Sequence, residues 1–115
     1  MTLVLRNISD RGDAAKERVV IKAAADVDIG KYVLAQTMKV GDQVLSTILR
    51  SFWLPDQMIK KGDWVVVYSK RGEQKEKVGD SGGTTYFFYW NAPQSIWAGD
   101  DTAAVLMHID NWQSV

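Results

Sequence analysis

The sequence Trp64-Val65-Val66-Val67-Tyr68 decides the fold class of this chain. β-Branched and aromatic residues favour strands, and a short run that is apolar at every position predicts a strand covered on both faces. The turn sequence Lys60-Lys61-Gly62-Asp63 precedes the run, and a charged, glycine-containing stretch at residues 69–85 follows it. We therefore predict a central strand at residues 64–68 and a solvated, mobile loop at residues 69–85.

Six further runs of β-forming residues surround this strand, and polar turns or a proline separate them. They lie at residues 2–8, 16–24, 31–35, 43–52, 84–90 and 102–109. Residues 26–30 are expected to form a turn, and no helical periodicity is sustained beyond about three turns anywhere. The pattern predicts an all-β chain of about seven mostly antiparallel strands, the number typical of an immunoglobulin-like β-sandwich.

Length and composition limit the classes of protein that this chain can represent. Its 115 residues are 46% hydrophobic and 24% charged, which predicts one globular domain over residues 1–115. Lysine plus arginine equals aspartate plus glutamate, so the formal net charge is zero. This balance argues against binding that depends mainly on phosphate contacts, although it permits a local basic patch. The absence of cysteine excludes disulfides, cysteine metal sites and a thiol nucleophile.

The amino-terminal residues carry no targeting signal that we recognise. Residues 1–13 have no basic lead-in and turn polar after Ile8, unlike a signal peptide or a membrane span. We therefore expect no membrane association and assign the cytoplasm by default. The chain could equally be a domain of a larger protein, so its compartment is not determined.

Several segments, taken in order, resemble the lamin tail domain family. Glu17 leads the strand Arg18-Val19-Val20-Ile21, and Val27-Asp28-Ile29-Gly30-Lys31-Tyr32 then turns into the next strand. The Phe52–Tyr68 segment is also similar to the family pattern, and so is the closing set of Tyr89-Trp90, Ile96-Trp97 and Gly99–Leu106, so the resemblance covers residues 17–109. The resemblance implies an immunoglobulin-like sandwich that acts as an adaptor. The family has no catalytic motif to assign to residues of this chain.

Two sets of residues match the outline of a catalytic site, and neither lies in the local structure that its chemistry requires. His108 with Asp100 or Asp110 could form part of a triad, but no serine lies on a nucleophile elbow, which favours a solvent-facing histidine. Asp56, Glu73 and Lys75 match the outline of a magnesium-dependent nuclease, but Glu73 and Lys75 fall in the charged loop. We predict no catalytic residue, no cofactor and no small-molecule substrate.

The acidic pairs of the turns are candidate calcium ligands. Asp26 with Asp28 and Asp100 with Asp101 could together offer oxygen atoms to Ca²⁺, but they lack the spacing of a calcium-binding loop. Aspartate also stabilises tight turns by bonding to its own backbone. We therefore predict no metal site.

Two candidate binding surfaces remain. Tyr89, Trp90 and Trp97 are a candidate partner-binding patch, although the same aromatic residues could instead pack the core. The leading hypothesis is a non-enzymatic module that contacts a protein partner or a second copy through this patch or a sheet edge. The alternative is a nucleic-acid-associated domain that uses the basic residues of segment 60–77. These residues are Lys60, Lys61, Lys70, Arg71, Lys75 and Lys77.

Overall fold

The computed structural model describes residues 1–115 and is nearly all β, as the sequence predicts. It contains no α-helix, and its one helical segment is the 3-10 turn Ile29–Lys31. No helix in the protein has the length and hydropathy needed to cross a bilayer. The strands are β1 Leu3–Ser9, β2 Arg18–Ala23, β3 Val27–Asp28, β4 Tyr32–Val40, β5 Gln43–Val44, β6 Arg50–Trp53, β7 Met58–Ile59, β8 Trp64–Tyr68, β9 Lys75–Val78, β10 Thr84–Tyr89 and β11 Thr102–His108.

The strand Trp64–Tyr68 is central, which confirms its sequence-based assignment. It is the middle strand of a five-stranded sheet with the order β1-β2-β8-β10-β9. Val65, Val66 and Val67 are all buried, because side chains on both faces of this strand are covered. β8 runs antiparallel to β2 and parallel to β10, and the β8–β10 pair is the only parallel pair in the protein.

A second sheet is built on β4, and every pair in it is antiparallel. β11 lies on one side of β4, while β5 and β6 both pair with its other side. β4 runs beyond the predicted residues 31–35 because its polar side chains find partners inside the fold. Gln36 Nε2 donates to the carbonyl oxygen of Ile96 at 2.6 Å, and Thr37 Oγ1 donates to that of Leu45 at 2.6 Å.

The hydrophobic core contains alternate residues of both sheets. Val19 and Ile21 of β2 and Val67 of β8 belong to the same buried cluster as Tyr32 and Leu34 of β4. Each such aliphatic side chain contributes about 1.5–3 kcal/mol when fully buried, so these alternating positions fix the register of the strands. The arrangement of the two sheets is compatible with a β-sandwich. The eleven strands, five of which have two to four residues, differ from the expected count of about seven.

The predicted strand at residues 43–52 is wrong in its middle. Only its ends pair with β4, where Val44 lies opposite Lys39 and Arg50 lies opposite Gln36. Five residues, 45–49, therefore stand against only two residues of β4, 37 and 38. Regular pairing with β4 cannot accommodate three excess residues, so residues 45–49 loop out of the sheet and expose their side chains.

The long polar stretch at residues 69–85 is exposed at residues 70–82, but it is not entirely a loop. Lys75–Val78 forms β9, which pairs with β10 in antiparallel register. Lysine and glutamate have low strand propensity, so the local sequence gives no signal for this element. The strand forms because the free edge of β10 offers backbone donors and acceptors. Residues 26–30 likewise contain β3, which pairs with β7, before the 3-10 turn.

Glu17 is a fully buried carboxylate that joins three segments distant in sequence. It accepts hydrogen bonds from the hydroxyls of Ser69 and Ser95, at 2.6 Å for Ser95. It also accepts from the backbone N–H groups of Gly12, Ile96 and Trp97 at 3.0, 2.8 and 3.3 Å. Burial by itself raises the pKa of Glu17, but these bonds together outweigh burial and leave the pKa below its ordinary value of 4.5.

Replacing this carboxylate tests its role in stability. We expect Glu17→Gln to lower the free energy of unfolding at pH 7 by about 2–4 kcal/mol, because an amide nitrogen would face donors. A depressed pKa stabilises the folded state above the unfolded pKa, and this contribution is lost as pH falls through the folded pKa. The difference between the variant and the wild type should therefore shrink below pH 4.5 in urea titrations. Glu73→Gln, at an exposed position, is the matched control. Unchanged stability of Glu17→Gln at pH 7 would contradict this role.

Candidate functional site

The outer face of the five-stranded sheet, on the side away from the core, carries four partly exposed aromatic rings. Strand alternation directs Val65 and Val67 inward, so Trp64 and Tyr68 face outward from β8. Phe87 and Tyr89 face the same way because they pair with Val66 and Tyr68 in the parallel ladder. We call this surface the outer face.

Three of the four rings of the outer face, those of Tyr68, Phe87 and Tyr89, are stacked. The Tyr68 and Tyr89 rings stack at 5.5 Å with an angle of 11° between their planes. The Phe87 ring lies 6.3 Å from the Tyr68 ring and at 27° to it. Gly72 packs directly against the Tyr89 ring, and any side chain at this position would overlap the ring. The rings therefore form a platform whose orientation the backbone fixes.

Cationic side chains lie over these rings. The ammonium nitrogens of Lys22 and Lys70 are each 4.9 Å from a ring centroid, of Trp64 and Tyr68 respectively. Lys75 lies 5.8 Å from the Phe87 centroid, and the Arg18 guanidinium lies 6.0 Å from that of Tyr68. Lysine and arginine interact favourably with ring faces at these distances, which combines positive charge with planar contact area on one surface.

Most of these cations have no acidic partner. The protein contains only two ion pairs, Arg18 with Asp10 at 2.6 Å and His108 with Asp110 at 3.8 Å. Lys22, Lys70 and Lys75 consequently have no carboxylate oxygen within 4.0 Å. The zero net charge of the chain therefore conceals a surface that is locally positive.

Two shallow hollows border the outer face. One, of about 490 Å³, lies among Tyr68, Phe87 and Tyr89, and three lysines, Lys70, Lys75 and Lys77, line it together with one carboxylate residue, Glu76. The other, of about 380 Å³, is lined by Arg6, Lys22 and Lys61 at the β1–β2 side of the sheet. Stacked rings can receive flat groups and the surrounding cations can bind anions, so the face suits an extended ligand that carries both.

The structure divides the predicted aromatic patch of Tyr89, Trp90 and Trp97. Trp97 is fully buried, and Trp90 packs against it at 5.9 Å with the rings at 75°. Tyr89 belongs to the outer face, because consecutive strand residues point to opposite sides. The prediction of one patch was therefore wrong. Hydrogen bonds from the backbone of Ile96 and Trp97 to Glu17 hold the loop tryptophan in the core.

Only part of the predicted basic segment belongs to the outer face. Lys70, Lys75 and Lys77 lie there, and Lys61 reaches the second hollow. Lys60 and Arg71 are exposed but line neither hollow. Sequence reasoning missed Arg18 and Lys22. The signal for them was strand alternation, because Val19 and Ile21 face the core and Arg18 and Lys22 therefore face the other side of the sheet.

The nominal catalytic groups are not assembled into the constellations drawn from the sequence. His108 is exposed and stacks on the Tyr32 ring at 4.8 Å, and its only ionic neighbour is Asp110. No serine hydroxyl is hydrogen-bonded to His108. Asp56 lies in a hollow beside Gly30, whereas Lys75 lies in the separate hollow of the outer face.

Two of the four acidic turn residues, Asp26 and Asp28, accept hydrogen bonds from the backbone. Asp26 accepts a hydrogen bond from the N–H of Lys61 at 2.9 Å, and Asp28 accepts from those of Gly30 and Gln57 at 2.9 and 3.2 Å. The protein has no group of three or more histidine, aspartate or glutamate side chains that could hold a metal ion.

No protein-family model and no curated protein matches this chain. The binding chemistry of the outer face therefore has to be inferred from its own residues.

Collisional quenching of tryptophan fluorescence tests the geometry of the outer face. We expect iodide to quench Trp64 preferentially, because this ring is partly exposed beside the Lys22 ammonium. The other exposed tryptophans, Trp53 and Trp112, share a hollow with carboxylates that repel an anion. Trp64→Phe should therefore lose most of the iodide-sensitive signal, and Trp97→Phe, which removes a buried ring, should keep it. Equal quenching of these two variants would contradict the assignment.

Proposed function

We propose that this protein is a non-enzymatic binding module that holds single-stranded nucleic acid on the outer face of its five-stranded sheet. The observation that carries the proposal is the placement of ammonium groups without acidic partners over partly exposed aromatic rings. Lys22, Lys70 and Lys75 occupy such positions. Nucleic acids match this surface because every nucleotide combines a flat base with an anionic phosphate.

A single strand fits this surface better than a duplex does. Bases can stack on side chains only when they are free of their own neighbours, which a loop or an unpaired strand provides. The rings of Tyr68, Phe87 and Tyr89 lie on the face of a five-stranded sheet, which is too wide to enter a groove that admits a helix or a two-stranded ribbon. A chain with zero net charge exerts little long-range attraction on a duplex. Binding through local contacts with a flexible single strand does not require such attraction.

For the fold, we propose the immunoglobulin-like form of the β-sandwich and kinship with the lamin tail domains. Two sheets around a shared core and the central Trp64–Tyr68 strand support this proposal. The parallel pairing of β8 with β10 departs from an antiparallel immunoglobulin sheet. Adaptor domains of this kind bind without chemistry, which agrees with a surface that offers rings and cations and no nucleophile.

The binding proposal predicts a specific response to mutation. We expect the wild type to bind a fluorescently labelled single-stranded oligonucleotide at low salt, measured by fluorescence anisotropy. Phe87→Ala should weaken binding about tenfold, since stacking contributes about 1–3 kcal/mol per base. Lys75→Ala should reduce the slope of log K against log salt by about 0.7 for each phosphate that the variant no longer neutralises.

Two comparisons make this experiment decisive. Trp112→Ala removes an exposed tryptophan from a different surface and should bind the oligonucleotide like the wild type. A duplex of the same sequence should bind more weakly than the single strand. Unchanged affinity of Phe87→Ala, or equal affinity for duplex and single strand, would contradict the proposal.

A second candidate function is self-association, which is one form of the leading sequence-based hypothesis. Leu45, Ile48 and Leu49 are 44%, 50% and 52% exposed, and a hollow of about 270 Å³ lies beside Leu45, Ile48, Val105 and Met107. Contiguous exposed apolar side chains commonly mark protein contacts. Pairing through the β9 edge is disfavoured, because Lys75-Glu76-Lys77 places charges there.

Sedimentation velocity over a wide range of concentrations tests this second candidate. We expect the average mass to rise above the monomer value of 12.9 kDa as concentration increases. Leu49→Asp should prevent the rise because it places a charge within the apolar contact. Val78→Asp, at an exposed apolar position on β9, should leave the rise unchanged. A wild type that stays monomeric throughout would exclude self-association.

A further inference from the structure

A hollow outside the outer face combines aromatic walls with negative charge. It has a volume of about 500 Å³, which lies in the range of small-ligand sites. Two tryptophans, Trp53 and Trp112, line it together with three aspartates, Asp28, Asp56 and Asp110. None of these residues belongs to the nucleic-acid surface proposed above. We call this feature the tryptophan hollow.

The two indole rings of the tryptophan hollow form a right-angled corner. Their centroids are 5.1 Å apart and their planes meet at 90°. Trp53 is fixed in place because its Nε1 donates to the carbonyl oxygen of Gly30 at 2.7 Å. Trp53 and Trp112 are nevertheless 49% and 63% exposed, so large parts of both rings remain open to a ligand.

The carboxylates give the tryptophan hollow its charge. Asp28 is held by the backbone N–H groups of Gly30 and Gln57. Asp56 packs so closely on Gly30 that any side chain at position 30 would overlap its carboxylate. Three aspartates face one lysine, Lys31, and no ion pair joins Lys31 to any of them. The site therefore favours a positively charged ligand.

We propose that the tryptophan hollow binds a methylated ammonium group, either free or carried on a peptide. Aromatic corners attract such cations through the negative faces of the rings, and indole is the strongest of the side-chain rings. The methyl groups of the ligand would cover apolar surface of Pro55 and Ile109, while Asp56 and Asp110 balance its charge. A bare metal ion is disfavoured, since the carboxylates do not converge into a chelating group.

Titration with choline, followed by NMR of the indole Nε1–H signals, tests the proposal. We expect saturable shifts at Trp53 and Trp112, and binding at least about fivefold weaker for Trp112→Ala, judged from its remaining Trp53 signal. Asp56→Asn should weaken binding by a smaller factor. Trp64→Ala is the matched control, because it removes a ring that lies beside Lys22 on the outer face. Sodium chloride at matched ionic strength removes non-specific salt effects.

The neutral isostere 3,3-dimethylbutan-1-ol separates charge recognition from simple apolar contact. We expect it to bind at least about fivefold more weakly than choline. A peptide with trimethyllysine should bind more tightly than the same unmodified peptide. Its affinity relative to that of choline then distinguishes a peptide-borne methylated ammonium from a free one. Equal binding of choline and the neutral alcohol, an unaffected Trp112→Ala, or no shift at either indole would overturn the proposal.

Discussion

The buried carboxylate of Glu17 is the constraint on which the rest of the structure depends. It lies at the start of β2 and holds the turn at Gly12, the end of β8 at Ser69 and the loop at residues 95–97. A buried charge is tolerated only when donors surround it, so these segments must come together for the core to close. Trp97 enters the core through this contact, and Trp90 packs on it.

The same constraint shapes the outer face. Ser69 is bonded to Glu17, and the chain that leaves Ser69 carries Lys70 over Tyr68 and Gly72 against the Tyr89 ring. The positions of these groups thus follow from where the buried carboxylate fixes the end of β8. The buried hydrogen bonds of Glu17 thereby influence the positions of the rings on the outer face.

Zero net charge in this protein reflects separation of charge between surfaces. Lysines without acidic partners lie over the rings of the outer face, while Asp28, Asp56 and Asp110 collect around Trp53 and Trp112. A third surface, the hollow beside Leu45 and Ile48, is lined by no charged residue. Each surface therefore favours a ligand of different chemistry, which the total composition conceals.

The sequence by itself determined the β class, the central strand Trp64–Tyr68 and the alternation of inward and outward residues, because these follow from local propensity and a period of two. Only the tertiary structure decided that β9 forms, that residues 45–49 leave the ladder and that Trp97 is buried while Tyr89 is not. The candidate site was partly visible in Lys70 and Lys75, but Lys22 and Trp64 joined it only through pairing of β2 with β8. Local sequence encodes which way a side chain points. Which strands become neighbours depends on long-range pairing and on buried polar contacts such as those of Glu17, and these have no local signature.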